Sequence, residues 1–135
     1  MGRSLLILLD THVVIWLGQD YDRISAKAQA AIRDARKSQR GLAVSCISLL
    51  EIARLARHGQ VSLTPDAETV LAEVENRFLV LPITRNIALQ AYELPQRFPK
   101  DPADRIIGAT ALVEDIPLLT ADNAIRRSRA VPVIW

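Results

Sequence analysis

The sequence predicts an α/β protein with a central, mainly parallel β-sheet flanked by helices. Leu5 to Leu9 form an all-aliphatic run without polar alternation, as expected for a strand buried on both faces. Further short apolar runs alternate with helical patterns of about 10–15 residues, the signature of β-α-β units. Thr64-Pro65 and Asp101-Pro102 each join a helix-capping side chain to a proline suited to the first helical position.

The 135 residues suit one domain, residues 1–135, and a chain this size buries about 68–70% of its unfolded surface. With 50% of residues hydrophobic, a full core is available without disulfides. The one cysteine, Cys46, has no internal bridging partner, and no Cys/His spacing resembles a zinc site. No leader segment is visible, so a reducing cytoplasm is the expected compartment. The first apolar stretch is broken at Asp10-Thr11-His12, short of the ~18 residues of a membrane span. A formal charge of +2 and a pI of about 9.0 permit a nucleic-acid partner without demanding one.

In chain order, strand Leu5–Leu9 is followed by a short helix over Val13–Leu17 closing at Gly18. Ser25 caps a helix to about Lys37, with Ala28, Ala31, Ile32 and Ala35 facing inward. Gly41 leads into the strand Leu42–Val44. Ser48 then opens a helix from Leu49 to about Arg57, stopped at Gly59. Thr64-Pro65 starts a helix to about Asn76, and Phe78–Leu81 is the next strand. Thr84 caps a helix to about Glu93, ended by Pro95. Asp101-Pro102 begins the most apolar helix, with Ile106, Ile107, Ala109, Ala111, Leu112 and Val113, and with Gly108 allowing close approach of a neighbour. Pro117–Thr120 reads as a strand and Val131–Ile134 as the last, at an edge because of Pro132.

Four acids share one topological address. Asp10 follows the first strand and Glu51 lies early in the helix after the second. Asp104 is in the first turn of the apolar helix, and Asp122 follows the strand ending at Thr120. Strand ends and helix starts lie on one edge of a parallel sheet, where such folds place their ligand crevices. Each acid alone admits a structural role. Ser48-Leu49-Leu50-Glu51 fits a capping box, or Glu51 pairs with Arg54. Asp101 fits the N-cap position with Asp104 three residues on, and Asp122 can cap a short helix to Arg127. The conjunction asks for more, because an aspartate directly after a buried aliphatic strand is costly to desolvate. Four carboxylates on one edge also raise one another's pKa values unless a cation neutralises them. Oxygen donors without cysteine or histidine point to Mg²⁺ or Mn²⁺, and such a site suits phosphodiester hydrolysis.

Leu-Leu-Asp10-Thr-His, Ser48-x-x-Glu51, Asp101-Pro-x-Asp104-Arg105 and Thr120-x-Asp122 occur in the order and spacing of PIN-domain ribonucleases. From Leu5 to Trp135 the chain most resembles the VapC toxins of bacterial VapBC toxin–antitoxin pairs. The resemblance implies a PIN-like fold and an Mg²⁺-dependent endoribonuclease. It implies that Asp10, Glu51, Asp104 and Asp122 are the metal-binding and catalytic acids. RNA as substrate, a VapB-type antitoxin as partner and a homodimer follow from it too, the dimer drawing on the Ser48–Gly59 helix and the helix before it. An antitoxin peptide would lie against Val13–Leu17 and the helix from Leu49, with a basic side chain near the acids.

Around the quartet, Thr11 and Thr120 suit either orientation of a carboxylate or packing. His12 reads as structural more readily than as an RNA contact, and Arg105 as the partner of Asp101. The arginines Arg126, Arg127 and Arg129 suit phosphate contacts or a solvated face, and so do Arg54, Arg57 and His58. The alternatives are a PIN-type nuclease of RNA processing and a non-catalytic α/β binding module. A receiver-type module is disfavoured because no lysine follows the late strand, and a haloacid-dehalogenase-type phosphatase because His12 stands where a second aspartate is needed.

Overall fold

The computed structural model describes residues 6–37, 41–59 and 66–135. Leu5 and the Thr64-Pro65 signal lie outside the described residues. Within them the chain forms strands β1 (Ile7–Leu9), β2 (Leu42–Ser45), β3 (Leu79–Leu81), β4 (Leu118–Leu119) and β5 (Val133–Ile134). The helices are α1 (Thr11–Gln19), α2 (Ala26–Lys37), α3 (Cys46–Arg57), α4 (Ala67–Arg77), α5 (Arg85–Glu93), α6 (Pro102–Glu114) and α7 (Asn123–Ser128). None is long and apolar enough to cross a membrane.

All strand pairs are parallel, in the order β3-β2-β1-β4-β5. The absence of polar alternation in the strands has a direct cause. Ile7, Leu9, Val44 and Leu119 feed one core with Val13, Ile32, Ile52 and Val74 of the helices. Leu6, Leu8, Ala43 and Leu118 feed a second with Phe98, Ile107, Ala111 and Ile125. Successive strand residues point to opposite faces, and each face is covered. Pro132 precedes the edge strand and contributes its carbonyl to the Leu118 amide at 2.9 Å, so its missing N–H costs no ladder bond.

Caps at Ser25, Thr84, Asp101 and Asp122 stand where the sequence places them. Others move. Helix α1 starts at Thr11 rather than Val13 because the strand's own last acid, Asp10, is its N-cap. Helix α3 starts at Cys46, capped by Ser45 rather than Ser48. Helix α4 is capped by Asp66, whose carboxylate accepts the Thr69 amide at 3.0 Å. Gly108 does admit a neighbour: a Cβ there would stand 2.6 Å from Cζ of Phe98.

Arg105 corrects one expectation. Its guanidinium does not pair with Asp101 but donates to the carbonyls of Ala91, Leu94, Phe98 and Pro99. It closes the corner between α5 and α6 and so fixes where α6 begins, three residues before itself.

Candidate active site

Strand order turns outward in both directions from β1: β2 lies on one side and β4, late in the chain, on the other. A crevice opens at such a switch point, outside the carboxyl ends of the strands. Asp10 leaves β1 there, and Thr120 leaves β4 beside it.

Asp10 is 4% exposed, and both its oxygens are engaged. Oδ1 accepts the Thr11 amide at 2.8 Å and Oδ2 accepts the Thr120 hydroxyl at 2.7 Å. Thr120 Oγ1 in turn accepts the Asp122 amide at 3.0 Å, so one hydroxyl ties the two aspartates together. Asp122 caps α7 through the Ile125 amide at 2.9 Å, and among the described residues its other carboxylate oxygen has no hydrogen bond.

Glu51 is not the third residue of a capping box. With α3 beginning at Cys46 it sits in the second turn, and its Oε1 accepts the hydroxyl proton of Thr11. That leaves the fully buried Ser48 Oγ to donate to Thr11 Oγ1, at 2.8 Å. Spacing i, i+3 puts Ser48 and Glu51 on one helix face, and both meet the same threonine. The Ser-x-x-Glu spacing carried this signal, but a cap was the wrong reason for it.

Asp104 is half-buried in the first turn of α6, its amide bonded to Asp101 at 3.1 Å. Burial, followed by the fields of Asp10, Asp101, Asp122 and Glu51, pushes its carboxyl up to about 7. Glu51 is raised by burial as well, with Asp10 and Asp101 adding and the Thr11 bond opposing. The fields of Asp10, Asp122 and Glu51 thus all reach Asp104, and Asp101 is a further charge at their margin.

His12 is held by structure. Its Nε2 accepts the Ala121 amide at 3.0 Å, which puts the neutral ring's proton on Nδ1, 3.6 Å from Asp10 Oδ2. Burial lowers its pKa against the pull of Asp10 and Asp122, so the ring is neutral near pH 7. With Nε2 engaged, the donor set facing the crevice is carboxylate and hydroxyl oxygen. Oxygen donors with a surplus of negative charge fit a hard divalent cation. Among the described residues no three His, Cys, Asp or Glu side chains enclose a ready-made ion site. Arg126, Arg127 and Arg129 are exposed beside Asp122.

A family model described as the PIN domain matches residues 7–130. Ribonuclease VapC22 of Mycobacterium tuberculosis is 37% identical over 123 residues, 91% of this chain and 92% of that protein. Two solved structures share the fold at low identity. VapBC2 from Rickettsia felis, bound to a DNA fragment from its promoter, has a TM-score of 0.72 at 14% identity, covering 96% of this chain and 97% of that one. VapC20 of Mycobacterium tuberculosis, a sarcin-ricin loop cleaving toxin, has a TM-score of 0.64 at 19% identity, covering 96% and 99%.

Proposed function

This chain belongs to the PIN-domain family, and from that premise we propose that it is a metal-dependent endoribonuclease, the toxin of a VapBC-type pair. One observation carries the reading: Asp104 is driven to about 7 by burial and by the charges of Asp10, Asp101, Asp122 and Glu51. A fold does not gather repelling acids in a crevice for stability, but it needs them to hold a cation.

Asp10, Glu51, Asp104 and Asp122 are the residues that would hold the ion, and Mg²⁺ is the proposed species, with Mn²⁺ as its substitute. The bound cation supplies Lewis acidity and charge neutralisation at the phosphodiester. The chain's own residues do the rest. Thr11 and Thr120 hold Asp10 in one rotamer by two hydrogen bonds, and Thr11 turns Glu51 toward the same point. With its carboxyl at about 7, Asp104 holds a proton below neutral pH in the metal-free protein. Arg126, Arg127 and Arg129 supply positive charge at the rim for the RNA backbone.

The proposed partner is a VapB-type antitoxin. Its apolar segment has a seat in a cavity of about 750 Å³ lined by Val14, Ile15, Leu17, Ile52, Val74 and Phe78. Leu50, 64% exposed on α3, together with exposed Leu89 and Tyr92 on α5, offers apolar surface for a homodimer. The cytoplasm, where RNA and antitoxin meet, is the proposed compartment.

The test is cleavage of defined RNAs by purified protein, first treated with chelator and then given back Mg²⁺ or Mn²⁺. Activity that returns with the metal and is silenced by the cognate antitoxin is the expected result. Cleavage indifferent to chelator, or none with either metal, refutes the proposal.

A further inference from the structure

A second set of side chains shares the carboxyl edge of the sheet with the acids. His12 and Trp16 are four residues apart on α1, hence on one helix face, and their ring centroids are 4.8 Å apart. Trp135 comes from the far side. Register Leu9↔Leu119↔Ile134 puts Asp10, Thr120 and Trp135 at one level, each just past its strand's end. Trp135 is thus two strand spacings from Asp10, roughly 10 Å at about 4.8 Å each. Its ring centroid lies 6.0 Å from that of Trp16. The guanidinium of Arg23, on the turn after α1, stands 4.3 Å above the Trp16 ring.

Trp16 and Trp135 pack one side against the core that holds Val13, Val14 and Ile32, and both stay partly exposed, as does His12. The rings are therefore rigid and amphipathic, next to an exposed cation. A polyanion approaching four carboxylates is repelled, so the substrate needs attraction that does not rely on charge alone. Aromatic faces supply it for any unpaired base, and a guanidinium reinforces it.

Building on the ribonuclease reading, we propose that His12, Trp16, Arg23 and Trp135 form a stacking subsite that binds an unpaired RNA base beside the carboxylate cluster. It favours single-stranded RNA, because the base faces of a duplex are taken. Trp135 and Arg23 are positioning residues for the substrate and take no part in bond cleavage.

Trp16 and Trp135 are the two tryptophans of the chain, so intrinsic tryptophan fluorescence reports this cluster directly. The experiment titrates chelator-treated full chain with a short mixed-sequence RNA carrying a fluorescent label, single-stranded and as a duplex. Anisotropy of the label and tryptophan quenching are followed together. Single-stranded RNA should quench and the duplex should not. Stacking is worth about 1–3 kcal/mol per base, or about 5- to 150-fold in affinity at 1.4 kcal/mol per tenfold.

Trp135→Leu, which keeps apolar packing, should weaken Kd and raise KM about tenfold with kcat unchanged. Trp135→Phe should recover most of that loss, which simple packing does not predict. Arg23→Gln, an exposed change that does not threaten the fold, should weaken binding about threefold. RNA that binds without quenching, with affinity unchanged in Trp135→Leu and Arg23→Gln, overturns the subsite while leaving ribonuclease activity intact. Binding with quenching but no metal-dependent cleavage overturns the enzymatic reading and spares the subsite.

Discussion

The carboxyl edge of the sheet and the α5–α6 corner handle buried charge in opposite ways. At the corner, Arg105 is half-buried and spends its donors on four backbone carbonyls, with the Phe98 ring 5.9 Å below the guanidinium. Four of its five N–H groups are thus taken up by its own chain. At the edge, Asp10 is fully engaged, yet Glu51 and Asp104 are half-buried and are raised first by that burial and then by like charges around them. A charge kept for architecture is neutralised by its own chain. At the edge the half-buried acids have like charges for neighbours, and their carboxyls are raised instead.

The largest effect that would test this contrast is at Asp10. Asp10→Asn should lower RNA cleavage at saturating Mg²⁺ by at least about a hundredfold. The amide oxygen cannot serve both Thr11 and Thr120 as well as a carboxylate does, so stability should fall by no more than about 1 kcal/mol. An active variant that merely melts earlier would reduce the edge to capping. The corner should answer in reverse. Arg105→Ala should cost about 2–3 kcal/mol in denaturant unfolding, through orphaned carbonyls and lost packing. Arg105→Lys should not restore it, since an ammonium lacks the planar fork.

A smaller effect is read through pH. Asp104 takes a proton more readily folded than unfolded, with its carboxyl at about 7 against an ordinary 3.8. In metal-free protein its stabilising contribution is full below about pH 4 and is lost as pH rises through 7. Stability should therefore decline across that window, and Asp104→Asn should flatten the decline by about 1–2 kcal/mol after solvent screening. Saturating Mg²⁺ should flatten it too. A slope untouched by the substitution would mean that the acids do not share a field. The smallest stability change is expected at Asp122→Asn, within about 0.5 kcal/mol, because asparagine also caps. A clear loss of cleavage despite an unchanged melting temperature would separate ligation from capping there.

Much of this was legible in the sequence because it is local. Leu6 to Leu9 announce a strand covered on both faces, and Thr84, Asp101 and Asp122 announce their helices. The acids were legible by address, since strand ends and helix starts share an edge whatever the details. The start of α3 was not, because Ser45 and Ser48 both offer a capping hydroxyl. Burial of Ser48 against Thr11, 37 residues away, decides between them. The Arg105 target was hidden for a similar reason. Asp101 lies one helical turn away and is an obvious partner, yet the carbonyls of the preceding corner win because four donors find four acceptors. Trp135 carries no spacing signal of its own, and only the strand register brings it level with Asp10.

The Thr120–Asp10 hydrogen bond closes a separation of 110 residues, and β1, the middle strand, waits for β4 to be paired on its second side. Closing so long a loop costs more chain entropy than pairing β1 with β2 or α5 with α6. On the ribosome, synthesis moves at about 5–20 residues per second. A nascent chain would thus carry Asp10, Glu51 and Asp104 for seconds without Thr120 to set the first of them or Asp122 to complete the group. The carboxyl edge is complete only once β4 and the Thr120 that follows it have emerged and paired with β1.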